Sequence, residues 1–528
     1  MDYYERDMTA LSRGPPAAGR RPRGRLDLPV VVGFNGIPMP NGPDAPPPPW
    51  LTSLTRNPVF WLFLLLIPAA AANLTYMAVQ CASPQDTSSP ESLTIHLALK
   101  VAAGGPLYSD FRVFPFIVTP YGPLLYEKLG LTARLFSWNA ESLFLFGRIL
   151  LLACALGIAV LLFFSATSET QAESSRAIAP LLFLSCAILY PWACTCRPDV
   201  MAAFLAFAGF LVYLKAGGRG WRFTSVLLFL AAFLAKQSAV AAPAALIFWN
   251  IINRRGREAL RLACLWLAAL FLAFVAMHVV TGGMSTLNII GSNAAPMEAR
   301  NVRLVGALFF QAAALPLILA AAGAAAQGWR SAGVSYLFVS LAWALFSSAK
   351  LGSNVNYFIE PLAAACLLAP SALEALRKNR SRVAGALIAG AAAVLLLPSL
   401  SYRINALETL KFDRDEQARS AVNSTRGLVL TDIPRLALAG RTPILIEPLP
   451  LSYLENAGRW NSAPLLDLMD KGGVSLVVLT SPVEQASTWQ GLTRLPKSVL
   501  NKIREKYRLQ MRLGDRFFYV PKGVEANP

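Results

Sequence analysis

Predominantly apolar, charge-free runs of about twenty residues, such as VFWLFLLLIPAAAANLTYMAV from Val59 and VGALFFQAAALPLILAAAGAAA from Val305, constrain this chain more than any other feature. A helix rises 1.5 Å per residue, so a run of this length covers the ~30 Å hydrocarbon core of a bilayer. Lipid offers no hydrogen bonds, and a spanning segment must therefore pair its own backbone as a helix. Composition agrees: 55% of residues are hydrophobic and 15% charged, against roughly 25% charged in ordinary globular domains. A soluble enzyme, a disordered tail protein and a small disulfide scaffold are all excluded. What is left is a polytopic α-helical membrane protein.

The net charge of +18 points in principle to nucleic acid or to a membrane surface. Nucleic-acid binding needs the basic residues gathered on one folded face. Here they lie in the connections between apolar runs, so no nucleic-acid partner is expected and the positive excess is read as cytoplasmic loops facing anionic lipid. Two histidines, His96 and His278, argue against a His-rich metal site or a Ser-His-Asp triad. The seven cysteines fall mostly inside apolar segments, where they act as small hydrophobes, and Cys194 and Cys196 are expected to stay unpaired.

Residues 1–57, rich in Pro, Gly and Arg, read as a disordered cytoplasmic tail. About eleven transmembrane helices are expected within 58–400, at 59–79, 142–165, 177–195, 200–214, 223–235, 238–252, 262–280, 304–326, 332–349, 357–373 and 383–400. With the N-terminus inside, the connections at 215–222, 253–261, 327–330 and 377–382 are basic and inner, while 168–176 is not basic. The outer connections are a long first loop, 80–141, and shorter ones, followed by a C-terminal tail from Ser401. Within that tail, strand-like GLVLTD, TPILIEP and VSLVVLTS alternate with helix-like segments, so 401–528 is expected to form a small α/β outer domain.

Polar residues that interrupt or flank spans are costly, which makes each a candidate for function. Glu91 and Asp110 lie in the first outer loop, Arg197 and Asp199 in CRPD, Lys236 and Gln237 in KQS, and Asn354, Asn356 and Tyr357 in GSNVNYF. On the expected topology all share one side. The ordered set ESLTIHLALKVAAGGPLYSDF, TPYGPLLY, RPD, KQS and GSNVNYFIEP resembles the C-type-fold membrane glycosyltransferases, in particular bacterial lipopolysaccharide galacturonosyl transferases, aminoarabinose transferase and protein O-mannosyltransferases.

That resemblance implies a polyprenyl-phosphate sugar donor, a lipid, glycan or protein acceptor, and a catalytic carboxylate in the first outer loop. Such loops commonly begin with Asp-Glu; here the pair reads Pro90-Glu91, so the base is carried onto Glu91 and a second acidic role onto Asp110. A divalent metal stays open as a cofactor. The expected location is the bacterial inner membrane, with the C-terminal domain outside.

The residue types suit that chemistry. A carboxylate in a partly desolvated cleft takes the acceptor proton, and fixed cations, the Arg197 fork and the Lys236 point charge, stabilise the phosphate as it leaves. Asp199, Gln237, Asn354, Asn356 and Tyr357 complete a substrate-binding set, and direct displacement with inversion is the simplest course.

Each assignment has a plainer counterpart. Glu91 also suits the first turn of an amphipathic interface helix, SSPESLTIHLALKVAAGG. Asp110 suits a turn brace, Arg197 and Asp199 a mutual bridge, and Lys236 a snorkelling lysine. The asparagines and Tyr357 also suit a re-entrant loop, and Arg148, inside the second span, needs a partner of its own. A lipid-linked glycan transporter or flippase, or a glycan ligase, stands as the alternative function. A transporter would place its charges mid-span rather than on one face.

The basic loops and the odd span count set an orientation. A tag before Met1 should be protected in sealed right-side-out cells, and a tag after Pro528 should be labelled by an impermeant reagent. Labelling of both would refute the eleven-span arrangement.

Overall fold

The computed structural model describes residues 58–86, 89–165, 173–215, 219–293, 295–378, 390, 392, 415–438, 443–486 and 488–523. The N-terminal tail and the expected eleventh span lie outside these, apart from Gly390 and Ala392.

The apolar runs fold as helices. The first, α1, spans Pro58–Ala82; two helices, α2 (Ser89–Ala102) and α3 (Leu124–Phe136), fill the first loop; α4 covers Ala140–Ser165 and α5 Glu173–Ser185. There follow α6 (Asp199–Lys215), α7 (Arg219–Ala235), α8 (Ala241–Ile252), α9 (Gly256–Val280), α10 (Ala299–Ala312), α11 (Ala314–Gln327), α12 (Ala332–Ser348) and α13 (Ile359–Lys378). Among the described residues four stretches are long and apolar enough to cross a membrane: Phe60–Ala82, Ala140–Ser165, Gly256–Val280 and Val355–Leu376. Shorter apolar helices pack among them. Helix α9 carries Leu265, Leu267, Phe271 and Leu272 exposed, which a soluble protein would bury and a helix against lipid does not. The chain is a membrane protein.

Two expected spans are corrected. The run 177–195 is helical only to Ser185, and 186–198 is a buried irregular stretch. Pro191 cannot continue a helix, and the Asn73 side chain donates to the Leu184 and Cys186 carbonyls at 2.6 and 3.3 Å, pairing groups that the helix end leaves open. The run 304–326 is broken at Ala313 into α10 and α11, bent by 79°. Pro316 has no N–H for the Ala312 carbonyl, and its ring crowds that turn.

Helix α2 also departs from expectation. Glu91, Leu93, Ile95, Leu97 and Ala98 are all buried, so it is packed within the protein rather than laid on an interface.

Beyond residue 415 a four-stranded sheet forms with order β1-β2-β4-β3: β1 is Leu428–Thr431, β2 Val474–Leu479, β3 Tyr507–Leu513 and β4 Arg516–Pro521. β1 and β2 run parallel, with Val429 opposite Leu476; the other pairs are antiparallel. VSLVVL of β2 is almost wholly buried, as a central strand covered on both faces must be. The edge strand β3 presents Arg508, Gln510 and Arg512 and carries a register shift between Leu509 and Met511, both of which discourage further pairing. Helices α14 (Glu416–Ser424), α15 (Pro434–Leu438), α16 (Pro448–Asn456), α17 (Ala463–Asp470) and α18 (Lys497–Lys506) cover it. Its core does not close on itself: Phe111, Phe116 and Val118 of the first loop join Leu430, Ile446 and Trp460 in one cluster, with Phe116 edge-on to Trp460 at 5.6 Å.

Inside the bundle, Gly323 of α11 lies so close to α13 that a Cβ there would overlap the Leu368 carbonyl oxygen. Gly323→Val should therefore separate the two helices and cost roughly 1–3 kcal/mol, read as a lower apparent Tm in detergent. Gly256→Ala, where a Cβ meets open space, is the control.

Candidate functional site

A cavity of about 130 Å³ opens where the helical bundle meets the sheet unit. Its floor is built by the turn after the buried irregular stretch. Arg197 lines the cavity and Asp199 opens α6, where an acid suits the helix N-terminus. Arg197 Nε donates to Asp199 Oδ2 at 3.2 Å, and its Nη2 to the Tyr121 hydroxyl at 2.8 Å. The other carboxylate oxygen of Asp199 accepts from Lys236 Nζ and from Asn356 Nδ2, both at 2.5 Å. Lys236 Nζ also stands 4.0 Å from the centre of the Tyr357 ring. All four charged or amide groups are at most 8% exposed. One carboxylate thus serves two cations, leaving a buried unit of net charge +1.

A third cation joins them. Lys350, just past α12, lines the cavity and donates to Asn293 Oδ1 at 2.5 Å. Asn293 is itself fixed, donating to the Pro120 and Ile289 carbonyls at 2.7 and 2.8 Å. Burial, with Lys236 nearby, lowers the Lys350 pKa to about 8. Tyr121 reaches the cavity because Gly122 beside it packs onto the Leu234 backbone, where any Cβ would clash. From the sheet side come Tyr453, Arg494 and Glu447. Glu447 is 4% exposed, accepts from the Val118 amide at Oε2 (3.2 Å), and is pushed by burial up to about 8. Arg494 is paired with Asp432 at 3.6 Å.

Of the residues singled out in the sequence, Arg197, Asn354, Asn356 and Tyr357 line the cavity, and Asp199 and Lys236 lie directly behind them. Lys236 is therefore an ion-pair partner rather than a snorkelling lysine. Gln237 does not reach the cavity; its amide donates to the Pro120 carbonyl at 2.8 Å. Asn354 caps its own turn, its side chain accepting from Val355 N.

The two expected catalytic acids sit elsewhere. The Glu91 side chain is 0% exposed; it receives Arg148 Nε and Nη2 at 2.8 and 2.9 Å and the Cys196 amide at 2.9 Å. Its neighbours Pro90 and Leu93 line the cavity, while the carboxylate points into the protein. A carboxylate so enclosed has no open edge for an acceptor hydroxyl, and the cost of burying Arg148 unpaired explains why it is held there. Asp110 lies at a turn, gripped by Arg112 through two side-chain bonds of 2.8 Å, a pairing that lowers its pKa. It is thus the turn brace that its neighbours allowed. Among the described residues no group of three His, Cys, Asp or Glu is placed to hold a metal ion, and Glu91 and Asp110 do not converge on one.

Sequence reasoning passed over Lys350, Asn293, Glu447 and Tyr453. Lys350 stands four residues before Asn354 in AKLGSN, close enough to the recognised motif to have been included. Glu447, in ILIEP, carries no local signal of the cavity it joins.

The fold is shared with a solved protein. ArnT from Cupriavidus metallidurans bound to undecaprenyl phosphate matches with a TM-score of 0.58 at 13% identity, over 88% of this chain and 99% of that one. The same protein in the apo state gives 0.55 at 14% identity, over 87% and 97%. The archaeal oligosaccharyltransferase AglB from Archaeoglobus fulgidus, in complex with an inhibitory peptide and a dolichol-phosphate, gives 0.48 at 12% identity, over 89% and 75%. No protein-family model matches the sequence, and no curated protein matches it. ArnT is an aminoarabinose transferase of the C-type fold, so the fold that the sequence resemblance implied is the fold found.

The enclosure of Glu91 makes its loss a question of stability first. Glu91→Gln leaves the Arg148 guanidinium buried without its counter-charge and should cost about 3–5 kcal/mol, seen as a large drop in thermal stability. Asp110→Asn, at its surface turn, should cost about 1 kcal/mol or less.

Proposed function

We propose that this chain is an integral-membrane glycosyltransferase that moves a sugar from a polyprenyl-phosphate donor to an acceptor held in the cavity between bundle and sheet. The observation that carries this reading is the charge of the cavity. Arg197, Asp199 and Lys236 together supply one net positive charge, and Lys350, bonded to a neutral amide, supplies a second. A sugar-phosphate diester brings one negative charge, and the departing polyprenyl phosphate carries two. With Glu447 neutral, the site is therefore better matched to the leaving group than to the bound donor, which is the condition for lowering a barrier.

Asp199 and Tyr121 each take one N–H of Arg197 and so fix the guanidinium, leaving its remaining N–H groups to a ligand, and Lys350 adds a point charge aimed by Asn293. The fold shared with ArnT, whose solved complex contains undecaprenyl phosphate, supports a lipid-phosphate ligand for this chain. The lipid tail would lie among the apolar helices, the cavity would face outward from the bacterial inner membrane with the N-terminus cytoplasmic, and the acceptor, a glycan, lipid or protein, would enter from the sheet side. Attack opposite the departing phosphate gives inversion. Glu91 acts at one remove: its bonds to Arg148 and to the Cys196 amide hold the turn that presents Arg197.

The test is to incubate purified protein with a panel of polyprenyl-phosphate sugars and measure released polyprenyl phosphate; no release from any donor overturns the reading. Arg197→Lys keeps a charge but loses the oriented fork, and turnover should fall about 10- to 100-fold. Lys350→Met should weaken donor turnover by about 10-fold or more. In the wild type the contribution of Lys350 should fade as pH rises through about 8, because its cation is lost there. In Lys350→Met that decline should vanish.

A further inference from the structure

We propose that Glu447, carried on the strap between the sheet unit and the first loop, is the general base that takes the acceptor's hydroxyl proton; the assignment rests on the transferase reading above. Among the described residues lining the cavity it bears the one carboxyl group, and it shares that cavity with Arg197 and Lys350.

Its position is built, not incidental. Residues 445–447 run parallel to the first loop: the Phe116 amide donates to the Leu445 carbonyl at 2.9 Å, and the Glu447 amide to the Phe116 carbonyl at 3.1 Å. The Val118 amide then donates to Oε2 of the side chain. Three hydrogen bonds thus lock backbone and carboxyl together, while Oε1 has no hydrogen-bond partner among the described residues. An oriented carboxyl with one oxygen committed and the other open is what proton transfer at a fixed site requires.

Burial supplies the basicity. It raises Glu447 to about 8, against which Val118 and the Arg197 charge act in the other direction. A base titrating near the working pH combines a useful ionised fraction with a real affinity for the proton. The groups that face it are Arg197, Lys350 and Arg494 among the cations, and Tyr121, Tyr126 and Tyr453 among the phenols, with Tyr357 across the cavity. Burial holds the pKa of Tyr121, Tyr126 and Tyr453 above the ordinary phenol value, leaving them neutral donors.

The step balances. As the acceptor oxygen bonds to the anomeric carbon, its proton passes to Oε1 of ionised Glu447. The bond from the anomeric carbon to the phosphate oxygen breaks, and its electron pair leaves with the polyprenyl phosphate. Glu447 ends neutral and the phosphate gains the charge that Glu447 loses, so the total is unchanged and the new charge lies beside Arg197 and Lys350.

The experiment uses the full-length protein and the polyprenyl-phosphate sugar that the wild type turns over. Glu447→Gln should lower kcat by about 10²- to 10⁴-fold, with the donor KM within a few-fold and binding of undecaprenyl phosphate retained. Glu447→Asp should recover at least about 10-fold over the Gln variant, because a base is restored. Because Glu447 and Lys350 both titrate near about 8, their opposite effects overlap in the wild type; in Lys350→Met, which removes the decline, turnover should rise with pH through about 8 as Glu447 ionises, and the rise should be absent when Glu447→Gln is added.

Near-wild-type kcat in Glu447→Gln overturns the assignment and leaves the transferase reading intact. An absent rise in the Lys350→Met profile does the same without any change at Glu447, so a Gln variant that fails to fold does not protect the proposal. No turnover of any donor by the wild type overturns both.

Discussion

A single buried guanidinium, Arg148, sets the terms for the rest of this structure. It sits on α4 within the bundle, 0% exposed, where an unpaired cation would be prohibitively costly. Its N–H groups reach the Gln80, Ser83 and Gln85 carbonyls and both oxygens of Glu91. The end of α1, the link after it, the first turn of α2 and the middle of the fold are thereby gathered on one side chain. Because Glu91 also accepts from the Cys196 amide, the same pair decides where the following residue, Arg197, stands. The most buried charge in the first loop is in this way an organiser of the cavity rather than part of its surface.

A second layer of electrostatics lies directly above. Asp199 cannot be buried without cations, and Arg197 and Lys236 answer it from different helix ends. Asn356 and Tyr357 then bind α13 to the same point. Such a network is expensive to desolvate and is held only by near-complete pairing. Its surplus of one positive charge, joined by Lys350, is the property on which a phosphate-binding role depends.

The sheet unit is coupled to this cavity rather than merely tethered beside it. Arg435 of α15 is 2% exposed, stacks on the Phe144 ring at 3.6 Å and reaches Glu141 at 2.7 Å, with Asp86 at 4.0 Å. Tyr453 donates to the Ser292 carbonyl, and Gln490 bonds Gly352 and Ser353 beside Lys350. Phe116 completes the sheet's core while its backbone aligns the strap that bears Glu447. Any motion of the sheet unit would therefore move the carboxyl and the lysine anchor together.

Much of this was legible in the sequence because membranes impose a local rule. A run of apolar residues long enough to span must be helical, and a charge at its end must have a reason. That reasoning brought Arg197, Asp199, Lys236, Asn356 and Tyr357 into one group, and the fold joins them as one network. It also placed breaks poorly: Pro191 and Pro316 were visible, but only packing reveals that the chain stays buried after a helix has ended. Which acid faces a cavity and which is sealed against an arginine was beyond sequence. Glu91 and Arg148 are 57 residues apart, and Val118 and Glu447 are 329 apart. Residue type and helical period are local properties, so the sequence by itself determined the membrane class and the polar set; burial and pairing depend on distant segments meeting, so only the tertiary structure decided which of those groups are braces and which are open to chemistry.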